Sequence, residues 1–525
     1  MFLITSAAYI SSGLSSEFGK LPPCMLPVQN CRLYEHQVKL VSTGEKIVLS
    51  LPKSYQLPEF DAQKLDNLGV RTIFVPDGLS LGQSVIYVLN AMGCYNEPIR
   101  ILHGDTLFSE ISTRTDVSAI ANAEDAYDWT SAGNNDGKVY SGFFCFSDQS
   151  LLIRKITEAG YAFMNGIKGY ATEKKVNLLE MPGWMDFGLV NSYYRSISKM
   201  TTQRVFNSME ITRYSVRKSS LDKQKMKAEA NWLSSLPTPM KHYAPSVWDS
   251  GEKCGRGYYE IEYYFLSSIA NLFVFGRNNV QVWKEIVDAC CDYLNDEYQV
   301  KAENSQHTAV QNDMLYAEKT MSRLEEYVKS STISLLKKWI INGVEVPSLK
   351  EIVKYTDNMI SKQDERFATL MHGDPCFSNI LYDFKSKTIK VLDPRGIDSQ
   401  GNVCIYGDFR YDVAKLAHSI LGMYDFIIGG RFKYSEKGTY DLTLEFDNDK
   451  SMEQVQDYFQ GKSFGGYSLD ELSVYAILVH LFLSMLPLHK DHPKRQKAML
   501  ANALRIYAEF IQKKNETHKD RLQNE

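Results

Sequence analysis

The sequence predicts two domains, an α/β domain on a mostly parallel sheet followed by an α+β domain that is largely helical. Three observations predict this. Short apolar runs alternate with helical patterns over the first two hundred residues, the pattern changes near residue 200, and helical periodicity dominates after Asn279. Length agrees, because 525 residues exceed what one hydrophobic core usually serves.

The elements can be justified in order. Strand-like apolar runs fall at residues 1–6, 71–75, 99–102 and 140–146, and residues 81–92 carry a helical pattern between them. A boundary near residues 200–207 gives domains 1–204 and 205–525, the second divided into lobes at about 205–275 and 276–525. In the first lobe, 210–218 alternates as one strand, 222–236 reads as a helix and 257–264 as another strand. Amphipathic helices are expected at 280–299, 307–330 and 348–364. A strand pair follows at 380–382 and 388–392, joined by the polar turn DFKSK. Further helices are expected at 409–424 and 469–486, and a last one starts near Pro493, a residue suited to the first helical turn. The charged KKNETHKDRLQNE that ends the sequence is expected to fray.

Composition narrows the function. The chain is 44% hydrophobic and 23% charged with a net charge of -4, which gives no electrostatic reason to expect nucleic acid as partner. Nine scattered cysteines without a C-x-x-C argue against a disulfide framework and a zinc site, and suit a reducing cytoplasm. The start MFLITSAAYI lacks the basic region of a signal peptide. The most apolar stretch, 475–486, contains His480 and is too short to cross a bilayer. A cytoplasmic protein without membrane insertion is expected, and its oligomeric state is left open.

The strongest chemical signal is His372-Gly373-Asp374-Pro375-Cys376-Phe377-Ser378-Asn379, followed by Leu392-Asp393-Pro394-Arg395-Gly396. Phosphoryl transfer from ATP needs a carboxylate to take the acceptor's proton and side-chain oxygens to bind the magnesium on the phosphates. An Asp followed five residues later by an Asn has the spacing of a kinase catalytic loop, and a second Asp after a short hairpin fits the other metal position. These residues resemble the aminoglycoside phosphotransferase and choline-kinase superfamily, whose fold is protein kinase-like. The resemblance implies Asp374 as base, Asn379 and Asp393 as Mg2+ ligands and His372 as a brace for the loop. It also implies that the Asp412 helix supports that loop. Upstream, Lys218 at a strand end and Glu229 on the next helix look like the kinase pair that holds the nucleotide phosphates. Glu260–Glu262 and the two tyrosines after it look like the hinge, with adenine expected near Glu262 and Tyr263.

The first domain carries a second set of marks. Leu21-Pro22-Pro23-Cys24-Met25-Leu26-Pro27-Val28 and Arg32-Leu33-Tyr34-Glu35-His36-Gln37 resemble the opening of sugar-phosphate nucleotidyltransferases, which have a Rossmann-like fold. By that resemblance Asp105 of His103-Gly104-Asp105-Thr106 and Asp186 of Trp184-Met185-Asp186-Phe187-Gly188 would share a Mg2+ ion. Gly82, Gln83 and Ser84 would belong to the segment that reads the base. The sequence departs from that family in two places. The opening loop, Ala7-Ala8-Tyr9-Ile10-Ser11-Ser12-Gly13, has a single glycine, and Pro23 stands where a lysine is usual. Lys20 is the nearest substitute.

Together the two constellations imply a bifunctional enzyme. ATP would phosphorylate a hydroxyl of a small-molecule alcohol, and a second nucleoside triphosphate, CTP or UTP by family analogy, would activate the product as a precursor for capsule or surface polysaccharide. The alternative is a small-molecule kinase whose first domain only binds or senses a nucleotide.

Overall fold

The computed structural model describes residues 1–93, 95–123, 130–132, 137–200, 207–302, 316–361, 364–398, 400–447 and 450–514. The chain divides into two compact units. One holds residues 1–200 and 275–277, and the other holds the remaining described residues.

The first unit is built on β1 (Phe2–Thr5), β2 (Ile47–Pro52), β3 (Val70–Val75), α1 (Leu81–Met92), β4 (Ile99–His103), β5 (Val117–Asn122), β6 (Lys138–Phe146) and β7 (Asn177–Glu180). The strands lie in the order β7-β5-β6-β4-β1-β2-β3. β1–β2, β1–β4, β2–β3 and β5–β7 are parallel, while β6 runs antiparallel to β4 and β5. Every residue of β1 and β2 is buried, as expected of parallel strands covered on both faces. β2 has no alternation, and its continuous IVLSLP run escaped the sequence reading for that reason.

A core of Leu3, Val48, Val85, Leu89, Ile101 and Phe144 joins the sheet to α1. Each such side chain contributes about 1.5–3 kcal/mol by its burial. α1 starts in a capping box between Ser80 and Gln83 and ends at Gly93 with φ 62°.

The second unit opens with β8 (Asn207–Ile211), β9 (Ser215–Ser220), α2 (Lys223–Ser235), β10 (Val247–Lys253) and β11 (Arg256–Glu262). The four strands form an antiparallel sheet in the order β8-β9-β11-β10. The stretch 210–218 is therefore a hairpin and not one strand. The Thr212 hydroxyl makes the turn by accepting from the amides of Tyr214 (3.2 Å) and Ser215 (2.9 Å).

The rest is mostly helical and includes α3 (Val280–Gln299), α4 (Ala317–Lys329), α5 (Leu349–Met359), the hairpin β12 (Ile380–Asp383) and β13 (Thr388–Val391), α6 (Phe409–Ile420), α7 (Val474–Ser484) and α8 (Pro493–Ile506). Three helical expectations, 348–364, 409–424 and 469–486, were too long, the first ending at Met359. Residues 307–315 lie outside the described residues, as does the tail from 515. Met423 (φ 53°) breaks the 409–424 pattern, and Ser473 (φ 55°) delays the start of α7. A sheet of Trp339–Ile341, Val344–Val346, Phe432–Gly438 and Asp441–Phe446 was not foreseen. Among the described residues, no helix is long and apolar enough to cross a membrane.

Candidate active sites

Alternation along β9 turns Lys218 to the buried face, where its Nζ lies 2.8 Å from Glu229 Oε2 and 3.0 Å from Asp393 Oδ1. Glu229 comes from α2 and also accepts from the Tyr259 hydroxyl at 2.8 Å. Burying these charges is costly, and only the reciprocal pairing offsets it. Burial pulls the Lys218 ammonium down, but the carboxylates of Asp393 and Glu229 outweigh it and raise its pKa. The side chain is held charged.

Asp393 follows β13 with φ 56°, an uncommon conformation for a residue with a side chain. Gly396 shortly after has φ 65°, and a Cβ there would stand 2.3 Å from the Ala228 carbonyl. The segment thus passes hard against α2, which holds Asp393 at Lys218.

The loop from His372 to Asn379 is anchored from beneath. The amides of His372 and Gly373 donate to the Asp412 carboxylate of α6 at 2.6 and 2.9 Å, and His372 N–H also lies 3.1 Å from Glu297 Oε1 of α3. Burial pushes the Asp412 carboxyl up to about 7, against the pull of those donors, and burial beside Asp412 raises Glu297 as well. The His372 imidazole is wholly buried against Trp232, with ring centroids 5.2 Å apart. Burial lowers it to about 4, so it is neutral, and its Nδ1 accepts from the Asp374 amide at 3.2 Å.

Asp374 itself is 42% exposed, and its Oδ1 lies 2.7 Å from Lys415 Nζ. Its protein surroundings would raise the carboxyl, but Lys415 brings it down to about 2. The Asn379 amide donates to the Asp374 carbonyl at 2.9 Å, and Leu392 N–H donates to the Asn379 carbonyl at 2.8 Å. The β12–β13 hairpin therefore joins Asn379, just before its first strand, to Asp393, just after its second. Asp374, His372, Asn379, Asp393, Lys218 and Glu229 stand in one continuous chain of contacts.

Glu262 ends β11, and Tyr263 follows it. The Glu262 and Tyr263 amides already donate, to Ser246 at 3.2 Å and Tyr214 at 2.9 Å, so neither N–H remains for a base. Sequence reasoning missed Lys415, Glu297 and Tyr259. Lys415 had a usable signal, since it lies one helical turn after Asp412. Glu297 had none, being placed by the packing of α3.

In the first unit Asp105 follows β4, and Asp186 ends a two-residue strand, Met185–Asp186, paired antiparallel with Thr106–Leu107. A Cβ on Gly188 would stand 2.8 Å from Asp105 Oδ2 and 3.5 Å from Asp186 Oδ1. Both carboxylates therefore border one gap that only glycine leaves open. The same unit has a cleft of about 580 Å³, lined by Ser109, Asn122, Glu180, Trp184, Met185 and Lys199 among others, though not by Asp105 or Asp186.

The other expected residues have structural work. Gln83 closes the α1 capping box, Ser84 is buried, and a Cβ on Gly82 would meet the Tyr161 carbonyl at 2.3 Å. In the glycine-poor loop, the Tyr9 hydroxyl bonds Ser54 at 2.7 Å, and the Lys20 ammonium lies 4.2 Å from the Tyr9 ring centroid. Pro23 opens a single turn, Pro23–Met25.

Among the described residues, no group of three or more His, Cys, Asp or Glu is arranged to hold a metal. Magnesium commonly takes one or two side-chain oxygens and completes its shell with phosphates and water. The gap at Gly188 and the Asn379/Asp393 pair both fit that demand.

Residues 281–415 match the model of the Ecdysteroid kinase-like family. No curated protein matches the chain. Solved structures cover the two halves separately. A Bacillus anthracis protein assigned as a glucose-1-phosphate thymidylyltransferase, in complex with sucrose, aligns over 39% of this chain and 96% of its own, at 14% identity and TM-score 0.31. A thermostable mutant of the aminoglycoside phosphotransferase APH(4)-Ia, with ADP and hygromycin B, aligns over 59% and 93%, at 12% identity and TM-score 0.38. APH(3'')-Id from Streptomyces rimosus, with ADP and streptomycin, aligns over 52% and 86%, at 14% identity and TM-score 0.32. The chain thus joins an α/β unit on a mostly parallel sheet to an α+β unit, of which residues 281–415 match a kinase-like family model.

Proposed function

We propose that this protein phosphorylates a hydroxyl of a small molecule with ATP, and then couples that phosphate to a nucleoside monophosphate drawn from a second triphosphate. The observation that carries the reading is the joined set of Lys218, Glu229 and Asp393 with Asp374 and Asn379. Lys218 would hold the ATP phosphates, Glu229 would hold Lys218, and Asp374 would orient the hydroxyl and take its proton. Asn379 and Asp393 would hold Mg2+, which neutralises phosphate charge when bound.

In the first unit, Asp105 and Asp186 would hold a second Mg2+ at the gap beside Gly188. The phosphate made by the kinase would attack the α-phosphorus of CTP or UTP and release pyrophosphate. A nucleotide-activated precursor for capsule or surface polysaccharide is the product class that this sequence of steps serves, and a cytoplasmic site of action suits it.

One observation favours a second reading. The opening loop has few glycines to wrap a triphosphate with backbone amides, and its Tyr9 and Lys20 side chains stack on each other. A first domain that only binds or senses a nucleotide follows from that.

Assays of the full chain separate the two readings. With an accepted alcohol, ADP release should be lost in Asp374→Asn. Pyrophosphate release from the second triphosphate should be lost in Asp105→Asn/Asp186→Asn while ADP release continues. Absence of pyrophosphate from the wild type with every triphosphate would leave only the second reading.

A further inference from the structure

A group of cations gathers next to Lys415, the partner of Asp374, and the phosphate-binding role of Lys218 does not account for it. α4 carries Lys319 and Arg323 one turn apart, hence on one face. The electrostatic neighbours of Lys319 are Tyr411, Arg395, Lys415 and Arg323. Arg395 is fixed at the catalytic loop, since its amide donates to the His372 carbonyl at 2.7 Å and its guanidinium lies 5.5 Å from the Tyr411 ring centroid. Lys415 closes the group through its 2.7 Å contact with Asp374.

The charges are not balanced by protein carboxylates. Among the described residues, Lys319, Arg323 and Arg395 have no carboxylate within ion-pair distance, and Asp374 is already taken by Lys415. Glu318, next to Lys319, is exposed and pairs with nothing among the described residues. The Tyr411 phenol acts to raise Lys319, but burial and the three neighbouring cations win and hold it below its ordinary range. Like charges gathered without counter-charge cost stability, and a bound anion removes that cost.

We propose that the acceptor is an anionic alcohol, a small hydroxyl compound carrying a carboxylate or a phosphate. Lys319, Arg323 and Arg395 grip the anion, and the hydroxyl is presented to Asp374. The inference rests on the kinase reading and fixes its substrate class. In the step itself, the bond from the γ-phosphorus to the bridging oxygen of ATP breaks. A bond from that phosphorus to the acceptor oxygen forms, the hydroxyl proton passes to Asp374, and ADP leaves. Cationic acceptors such as choline or an aminoglycoside would be repelled at this approach.

The test uses the full chain with Mg2+ and ATP, and measures ADP release with glycerate, glycerol 3-phosphate, glycerol and choline. One of the two acids should exceed glycerol and choline by at least about tenfold in kcat/KM, and which acid wins separates carboxylate from phosphate. Lys319→Gln/Arg323→Gln should raise KM for that acid by about tenfold, with a much smaller change in kcat, and erase its advantage over glycerol.

A second measurement does not depend on turnover. With the nucleotide site filled by Mg2+ and AMP-PNP, inorganic phosphate or acetate should raise the unfolding temperature of the wild type and not of the double variant. Better use of glycerol or choline than of either acid would overturn the inference and leave the kinase intact. An equal response of both proteins to the anions, or none in either, would overturn it as well. No ADP from any acceptor would overturn the kinase reading and this inference with it.

Discussion

Asp374 and Lys415 stand close enough to fix each other's charge. A carboxyl brought to about 2 is ionised throughout the ordinary pH range, so it orients a hydroxyl more than it drives deprotonation. Asp374→Asn should cut phosphoryl transfer by about 10²–10⁴-fold while stabilisation by ATP survives, as read by kinetics and thermal unfolding on one preparation. Lys415→Met removes the charge that lowers Asp374 and leaves the surroundings that raise it. The acid limb of kcat/KM should therefore move to higher pH in the variant, whereas the wild type shows none from this group between about pH 5 and 8. An identical limb in both proteins would refute that account of Lys415. His372, Asp374, Asn379 and Asp393 stood out in the sequence because each is a fixed residue type at a short fixed spacing. Lys415, one turn after Asp412, was given no task, since its contact with Asp374 is visible only in the fold.

Two short elements decide whether the sites are assembled. α6 supports the catalytic loop through one buried carboxylate that serves two backbone amides. Asp412→Ala would leave the Gly373 amide buried without a partner and the His372 amide with Glu297 alone, at a cost of about 1–3 kcal/mol. Urea unfolding followed by tryptophan fluorescence should show that loss, because Trp232 packs against His372. In the other unit, the turn after Asp186 brings Gly188 against Asp105. Gly188→Ala would place a methyl in the gap between the carboxylates, so pyrophosphate release should fall while ADP release stays at the wild-type rate. Equal rates of pyrophosphate release in both proteins would mean that the gap is not the reacting centre.

At this scale the sequence was legible where periodicity was regular, as in α1, α3 and β4. It misled where one side chain reverses the chain, as the Thr212 hydroxyl does between β8 and β9. Elements held only by distant partners, such as the sheet that pairs Trp339–Ile341 with Asp441–Phe446, left no local trace.

Over the whole molecule, the proposed function makes the two units consecutive, since the phosphate made in the second unit would be the nucleophile in the first. The expectation of two linked steps came from two sets of motifs in one sequence. The charge of the acceptor had no such motif, because it comes from four cations on three separate segments that only the fold gathers. The most direct test follows the phosphorus. ATP labelled at its γ-phosphate is supplied to the full chain with Mg2+, an accepted alcohol and an unlabelled second triphosphate, and the products are separated by mass. The account predicts label in the nucleotide-linked product and none in pyrophosphate. Label that stops in the phosphorylated alcohol, with no nucleotide-linked product formed from any triphosphate, would contradict it.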